Sequence, residues 1–258
     1  MSLQLNYKKQ GEGKPLIILH GLFGSLDNWQ TLANRWAENL EVWIIDQRNH
    51  GQSPHSDEWN YDVMADDLKD FLEEHNLKDI NLLGHSMGGK TVMRFACKYP
   101  HLVEKLIVAD IGPKSYPVHH AEIIEALKTV DFSKIDSRSD ADEMLKKSIP
   151  EMGVRQFLLK NFYWKDVKNK KGAWRFNLDI ISEKIEEVGK ETFPEAMFSI
   201  PTLFLNGEKS NYIKKEDIES IQEKYINSKV FTIPKAGHWL HAEQPDIFHD
   251  KVLEFINS

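Results

Sequence analysis

Two rhythms of apolar residues run through the chain. Leu16-Ile17-Ile18-Leu19, Val42-Trp43-Ile44-Ile45, Ile80–Leu83, Leu106-Ile107-Val108-Ala109, Thr202-Leu203-Phe204-Leu205 and Val230-Phe231-Thr232-Ile233 are short apolar runs. Runs of this kind predict strands buried on both faces. Between them Trp29, Leu32, Ala33 and Trp36, then Met64, Leu68, Phe71 and Leu72, recur at helical spacing. A third helix is predicted over Lys90–Tyr99, stopped by Pro100, and a last one carries Phe248, Val252, Phe255 and Ile256 on one face. Leu3, Leu5 and Tyr7 alternate with polar residues and predict an edge strand before the turn at Gly11-Glu12-Gly13. Up to Asp110 strand and helix alternate strictly. That is the signature of an α/β fold with a mostly parallel sheet and helices on both faces.

From Pro113 to Ile200 the alternation breaks, and helix patterns follow one another without a buried strand. Ile123, Ile124 and Leu127 mark one helix, and Met144 with Leu145 a second behind a Ser139/Asp140 cap. Val154, Phe157 and Leu158 mark a third, and Ile180, Ile181, Ile185 and Val188 a fourth. Phe162-Tyr163-Trp164 and Ala173-Trp174-Arg175-Phe176 flank Lys165–Gly172, either as a small hairpin or as a loop with aromatic shoulders. The expected organisation is one sheet domain built from 1–112 and 201–258, with a mainly helical insertion at 113–200 serving as a lid over the site.

In a parallel sheet, ligands bind outside the carboxyl ends of the strands. His20, Asp46, Ser86 and Asp110 all fall just past predicted strand ends. Ser86 stands in Gly84-His85-Ser86-Met87-Gly88 at a strand-to-helix junction, the pattern of a nucleophile elbow. The chain must pass close by on both sides of such a serine, which explains glycine at 84 and 88. A serine hydroxyl needs a base to accept its proton and a third group to orient that base. His238, in the loop after the last predicted strand, has the chain position for the base; His241 fits local contacts better. A His238/His241 zinc pair lacks a nearby cysteine or a clear third ligand.

Composition narrows the function further. A chain of 258 residues, 41% hydrophobic and 28% charged, is long enough for a substantial core. A net charge of −7 argues against nucleic acid or an anionic membrane as main partner, and makes the Lys168–Lys171 cluster a solvated loop tip. Cys97 is the only cysteine, which rules out an internal disulfide and fits a reducing compartment. Met1–Lys9 has no apolar core of a secretory signal, and no run approaches a membrane span. A cytoplasmic location is expected.

The chain resembles the α/β-hydrolase superfamily over nearly its whole length. The matching features are His20-Gly21, the Asp46–Ser53 loop, Gly84–Gly88, and Gly237-His238 with Glu243 and Pro245 behind it. Most of that family carries its triad aspartate three residues after the glycine of the loop Asn206-Gly207-Glu208, where this chain has Ser210. A smaller esterase and thioesterase subgroup shares His-Gly-Leu-Phe-Gly-Ser at 20–25 and Gly-His-Ser-Met-Gly-Gly-Lys at 84–90. That subgroup pairs an aspartate after strand six with a serine after strand seven, which implies Asp110 as the acid. Glu208 is the rival, and Asp46 is expected to hold its own loop. The resemblance further implies an eight-stranded sheet and no metal or organic cofactor. It also implies an oxyanion hole from the Met87 N–H and a loop N–H, Leu22 first and Phe23 next, with His20 organising that loop.

The expected activity is hydrolysis of carboxylic esters or thioesters with short to medium apolar acyl groups, through an acyl-enzyme on Ser86. Cofactor-free haloperoxidases, carbon–carbon hydrolases and lyases use the same three residues, and a ligand receptor with a retained triad is a further alternative. Haloalkane dehalogenases and epoxide hydrolases need a carboxylate where Ser86 stands. His119 and His120, at the start of the insertion, are expected to be exposed.

Overall fold

The computed structural model describes residues 3–258; Met1 and Ser2, where the search for a secretory signal begins, lie outside them. The main strands are β1 (Tyr7–Gln10), β2 (Lys14–Leu19), β3 (Leu40–Ile45), β4 (Ile80–His85), β5 (Val103–Ala109), β8 (Thr202–Gly207) and β9 (Ser228–Ile233). They form one sheet in the order β1-β3-β2-β4-β5-β8-β9. Only β1 runs antiparallel to its neighbour. β2 lies between β3 and β4, so the winding reverses at β2/β4 and opens a crevice there. Such a reversal is where ligands bind in open α/β sheets.

Side chains alternate across the sheet as a period of two requires. Leu16 and Ile18 of β2 face α1 (Gln30–Trp36) and α9 (Pro245–Ile256), joining Trp36, Phe248 and Val252. Ile17 and Leu19 face the opposite way, toward α2 (Tyr61–Glu74), α3 (Met87–Lys98) and α8 (Asp217–Lys224), joining Leu68, Phe95 and Ile221. Burying each such side chain stabilises the fold by about 1.5–3 kcal/mol. The start of α2 is set by Asn60, whose side chain accepts the Val63 N–H, a cap worth roughly 1 kcal/mol.

The sheet has seven strands, not the eight implied by resemblance. The six apolar runs and one edge strand visible in the chain account for all of them. The edge strand begins later than its alternation predicts, because Asn6 is held elsewhere. Its N–H donates to Ser53 Oγ at 2.8 Å and its amide to Asp46 Oδ2 at 2.7 Å, while Leu5 is buried. From β1 the chain turns through Gly11 and Gly13, both at positive φ, directly into β2.

Between β5 and β8, neighbours in the sheet, the chain leaves and returns. The excursion contains α4 (Ala121–Lys128), α5 (Arg138–Leu145), α6 (Met152–Leu159), the hairpin β6 (Phe162–Asp166)–β7 (Lys171–Trp174) and α7 (Leu178–Glu183). The aromatic shoulders are thus a hairpin. The cap of α5 is Ser137, not Ser139: its Oγ accepts the Asp140 N–H while Asp140 accepts the Ser137 N–H. The fourth helix is split, ending at Glu183 and continuing as a 3₁₀ turn over Ile185–Gly189. The two roots of the excursion touch. Tyr116 N donates to Gly189 O at 2.8 Å and Thr192 N to Pro113 O at 2.7 Å. Its apolar side chains, such as Leu127, Leu158 and Phe176, form a third core with Leu22, Phe23 and Met87 of the sheet loops.

Candidate active site

β4 ends at His85 and α3 begins at Met87, which leaves Ser86 alone on the turn at φ 53 and ψ −118. A non-glycine residue held there is strained by about 1–3 kcal/mol. The turn is possible because a side chain at Gly84 would strike the Gly88 carbonyl, and one at Gly88 the carbonyls of Leu19 and His20. The Ser86 N–H donates to Ala109 O at 2.9 Å, tying the turn to the end of β5.

Ser86 Oγ lies 3.1 Å from His238 Nε2, and His238 Nδ1 lies 2.7 Å from Asp110 Oδ2. Asp110 follows β5 at φ 51 and is fully buried. Its carboxylate also accepts the Gly207 N–H at 2.9 Å and the Ser210 hydroxyl at 2.5 Å. A buried charge is tolerated when its oxygens are saturated in this way. Ser210, which stands where the resemblance implies an aspartate in most of the family, hydrogen-bonds Asp110. Glu208 is elsewhere: its carboxylate accepts the Lys235 N–H at 2.7 Å and has no bond to His238.

Three neighbours hold the imidazole. Glu243 accepts the Gly237 N–H at 2.8 Å, His85 Nε2 donates to His238 O at 2.8 Å, and the Tyr212 ring stacks on His238 with centroids 4.3 Å apart. Burial pushes the His85 pKa well below the usual 6.5, so its ring is neutral and carries its proton on Nε2. His241 packs, stacked on Trp29 at 4.4 Å.

The loop after β2 lies alongside: a methyl group on Gly21 would stand 3.3 Å from Ser86 Cβ. His20 organises this loop. Burial lowers its pKa to about 4; the neutral ring donates from Nδ1 to Gly21 O at 2.8 Å and accepts the Gln47 N–H on Nε2 at 3.0 Å. Phe23 sits at φ 56, and its carbonyl accepts the Asn161 amide at 2.6 Å from the excursion. Among the described residues, the N–H groups of Leu22, Phe23 and Met87 have no protein acceptor. Asp46 holds its own loop, accepting the Leu26 and Gln52 N–H groups.

Ser86 and His238 open onto a cavity of ≈ 250 Å³ walled by Leu22, Phe23, Ile123, Phe157, Leu158 and Trp239. His119 and His120 line it too. His119 is exposed as expected, but His120 is half-buried, and burial lowers its pKa to about 4. The roots of the excursion fold back over α3 and bring it inward. A smaller chamber of ≈ 20 Å³ adjoins Ser86 on the Met87 side. Among the described residues, no group of three or more His, Cys, Asp or Glu side chains is placed to hold a metal.

Four side chains around the site carry no role legible in the chain: His85, Tyr212 and Asn161, which contact His238 and Phe23 as above, and Lys90, buried on α3. His85 lies inside Gly84–Gly88 and Lys90 two residues beyond it, within the longer motif at 84–90. Tyr212 and Asn161 have no local pattern to mark them.

Residues 14–140 match the model of a protein family described as the alpha/beta hydrolase fold. A putative esterase/lipase of Haemophilus influenzae is 39% identical over all of this chain and 88% of its own length. An sn-1-specific diacylglycerol lipase of Danio rerio is 39% identical over 96% of this chain and 80% of its own. Among solved structures, a marine microorganism esterase superimposes with a TM-score of 0.95 at 46% identity, covering 98% of this chain and 100% of its own.

Proposed function

The chain belongs to the α/β-hydrolase family, and from that membership we propose that it is a serine hydrolase of carboxylic esters or thioesters with a short to medium apolar acyl group. Ser86 is the nucleophile, His238 the general base and Asp110 the acid that orients it. His238 Nε2 takes the hydroxyl proton as Ser86 Oγ attacks the carbonyl carbon, while Asp110 holds the Nδ1–H tautomer and faces the imidazolium that forms. The developing oxyanion takes hydrogen bonds from the N–H groups of Met87 and Leu22, with Phe23 the other loop donor, each worth about 3–4 kcal/mol. His238 returns the proton to the leaving alcohol or thiol. It then activates water, which releases the acid and restores Ser86.

The single observation that carries this is the unbroken line from Ser86 Oγ through His238 to Asp110 at 3.1 and 2.7 Å, at the foot of an apolar-walled cavity. Residues 113–200 form the cap, contributing Ile123, Phe157 and Leu158 to that cavity. The motifs at 20–25 and 84–90, with the Ser210 hydroxyl bonded to Asp110, support assignment to the esterase and thioesterase branch that takes its acid from the end of the strand that is β5 here. No helix among the described residues is long and apolar enough to cross a membrane. With the single Cys97, the cytoplasm is the location proposed.

The test is hydrolysis of p-nitrophenyl esters together with labelling by a fluorophosphonate probe. Ser86→Ala is expected to abolish labelling and lower kcat by at least about 10,000-fold. A Ser86→Ala enzyme that retains wild-type turnover would remove serine from the mechanism.

A further inference from the structure

Two recesses meet at Ser86, and they differ in size and in neighbours. The ≈ 250 Å³ cavity is lined by Ser86 together with His238 and Trp239. The ≈ 20 Å³ chamber is lined by Ser86 and Met87 with Val118, Val188, Gly189 and Tyr212, and His238 is not among its walls. Given the nucleophile and base proposed above, on which this inference rests, the two arms of an ester are distinguishable. The leaving group must receive a proton from His238 Nε2, so it lies on the His238 side, in the large cavity. The carbonyl oxygen faces the N–H groups of Met87 and Leu22. The remaining substituent, the acyl chain, is directed to the Met87 side. About 10–15 Å³ of such space holds one water-sized body, so the chamber takes roughly a methyl group.

The chamber's outer wall is made of the two roots of the 113–200 segment, and Lys90 binds both. Lys90 lies on α3 one turn beyond Ser86, and its N–H donates to Ser86 O at 3.1 Å. Its side chain is fully buried. Nζ donates to Pro113 O at 3.1 Å and Lys114 O at 2.5 Å on the outgoing root, and to Lys190 O at 2.8 Å on the returning one. Three ammonium hydrogens meet three carbonyls, and the Tyr116 ring lies 5.0 Å away. Gly189 lets the roots approach, since a side chain there would strike the Tyr116 carbonyl.

We infer that the chamber is the acyl subsite, that it narrows the short to medium range proposed above to acyl groups of about the size of acetyl, and that Lys90 is the positioning residue that holds its wall at that size.

The ammonium gives this wall a pH signature. Burial pushes the Lys90 pKa down to about 7, with Lys114 adding to the shift and Glu191 opposing it. The other charged or titratable groups around it are Tyr116 and Lys190 on the roots, Asp217 paired to Lys114 at 2.6 Å, and His120 and Tyr212 across the chamber. Below pH 7 the ammonium satisfies all three carbonyls. Above it, the neutral amine has two hydrogens for three acceptors, so one carbonyl of the wall loses its partner and the wall is held less tightly.

The experiment measures kcat/KM for p-nitrophenyl acetate, butyrate and octanoate from pH 6 to 8.5, in the wild type, Lys90→Met and Val188→Ala. The ratio of acetate to butyrate cancels whatever pH dependence the two substrates share in the chemical step. In the wild type it is expected to exceed tenfold at pH 6 and to fall about threefold by pH 8.5. In Lys90→Met it should fall about tenfold and lose its pH dependence. Val188→Ala enlarges the chamber without touching Lys90, and should raise butyrate at least fivefold relative to acetate even where Lys90→Met does not fold. A wild type that takes butyrate and octanoate as readily as acetate, while Ser86→Ala is inactive, overturns the acyl subsite and leaves the nucleophile standing. A size preference unmoved by Lys90→Met and by pH removes Lys90 from it. Turnover that survives Ser86→Ala overturns the underlying mechanism instead.

Discussion

The loops at the carboxyl ends of β2, β4 and β5 and the excursion at 113–200 meet at the same cavity but are held by different means. In the loops the backbone does the holding. Phe23, Ser86 and Asp110 all have positive φ, and glycine is required where the strands crowd the elbow. In the excursion, side chains do it. Trp174 stacks on Phe176 at 5.6 Å, Phe176 meets Phe23 at 5.1 Å, and Phe157 meets Trp239 at 5.5 Å. Backbone strain held by a sheet has one solution, whereas an aromatic cluster repacks when a member changes. On the proposed function the reacting groups therefore sit on the rigid loops, while the excursion supplies the adjustable part of the cavity wall.

The widest gap between the regions should appear with Asp110→Asn, which is expected to lower kcat for p-nitrophenyl acetate by about 10,000-fold through the wrong His238 tautomer. Glu208→Gln, with a carboxylate outside the relay, should stay within about twofold; the opposite pattern in steady-state kinetics would hand Glu208 the acid's role. Ser210→Ala removes a hydrogen bond to a buried carboxylate, worth about 1.5–3 kcal/mol. The expected loss in kcat is roughly 10- to 100-fold, with KM unchanged.

Acid should weigh more on the sheet and its loops than on the excursion, where His120 is the one ring with a comparably lowered pKa among the described residues. Burial lowers the pKa of His20 to about 4, His50 to about 3 and His241 to about 3, all on the sheet side. For each, the folded value lies below the unfolded one, so stability is complete above pH 6.5 and is lost as pH falls toward 4. Each imidazole contributes a slope of at most about 1.4 kcal/mol per pH unit. Urea midpoints measured from pH 7 to 4.5 should fall accordingly; a flat profile would mean these rings are protonated in the fold. Smallest of all, Phe157→Ala trims the cavity wall by about 1 kcal/mol of apolar contact. It should raise KM for apolar esters roughly fivefold and leave kcat alone. A fall in kcat without a change in KM would erase the division between the two regions.

Most of the loop region can be read from the chain because it is local. A strand run, a glycine and a polar residue at its end announce each corner, and Ser210, where the resemblance implies an acid, points to Asp110. The eighth strand came from resemblance and had no apolar run behind it. What escaped is non-local. Lys90 is explained by carbonyls from residues 113, 114 and 190, and Asn161 by those of Phe23 and Leu158, and backbone acceptors leave no trace in side-chain periodicity. The sign of φ at Asp110 is equally invisible in residue type. The helix at Ile180–Val188 broke because its last turn tightens into the 3₁₀ segment ending at Gly189, which the return root needs for its close approach to Tyr116.

That close approach makes the excursion an exchangeable module. Its two ends are already joined by hydrogen bonds at Tyr116–Gly189 and Pro113–Thr192, so the span between them begins and finishes at one point on the sheet. Lengthening or shortening such a closed loop changes its closure entropy by only about 0.6 kcal/mol per doubling. The pairing of β5 with β8 and the line from Ser86 to Asp110 do not depend on what hangs from that point. A lineage can therefore exchange much of the span, and with it the shape of the cavity, provided the replacement still covers Leu22, Phe23 and Met87.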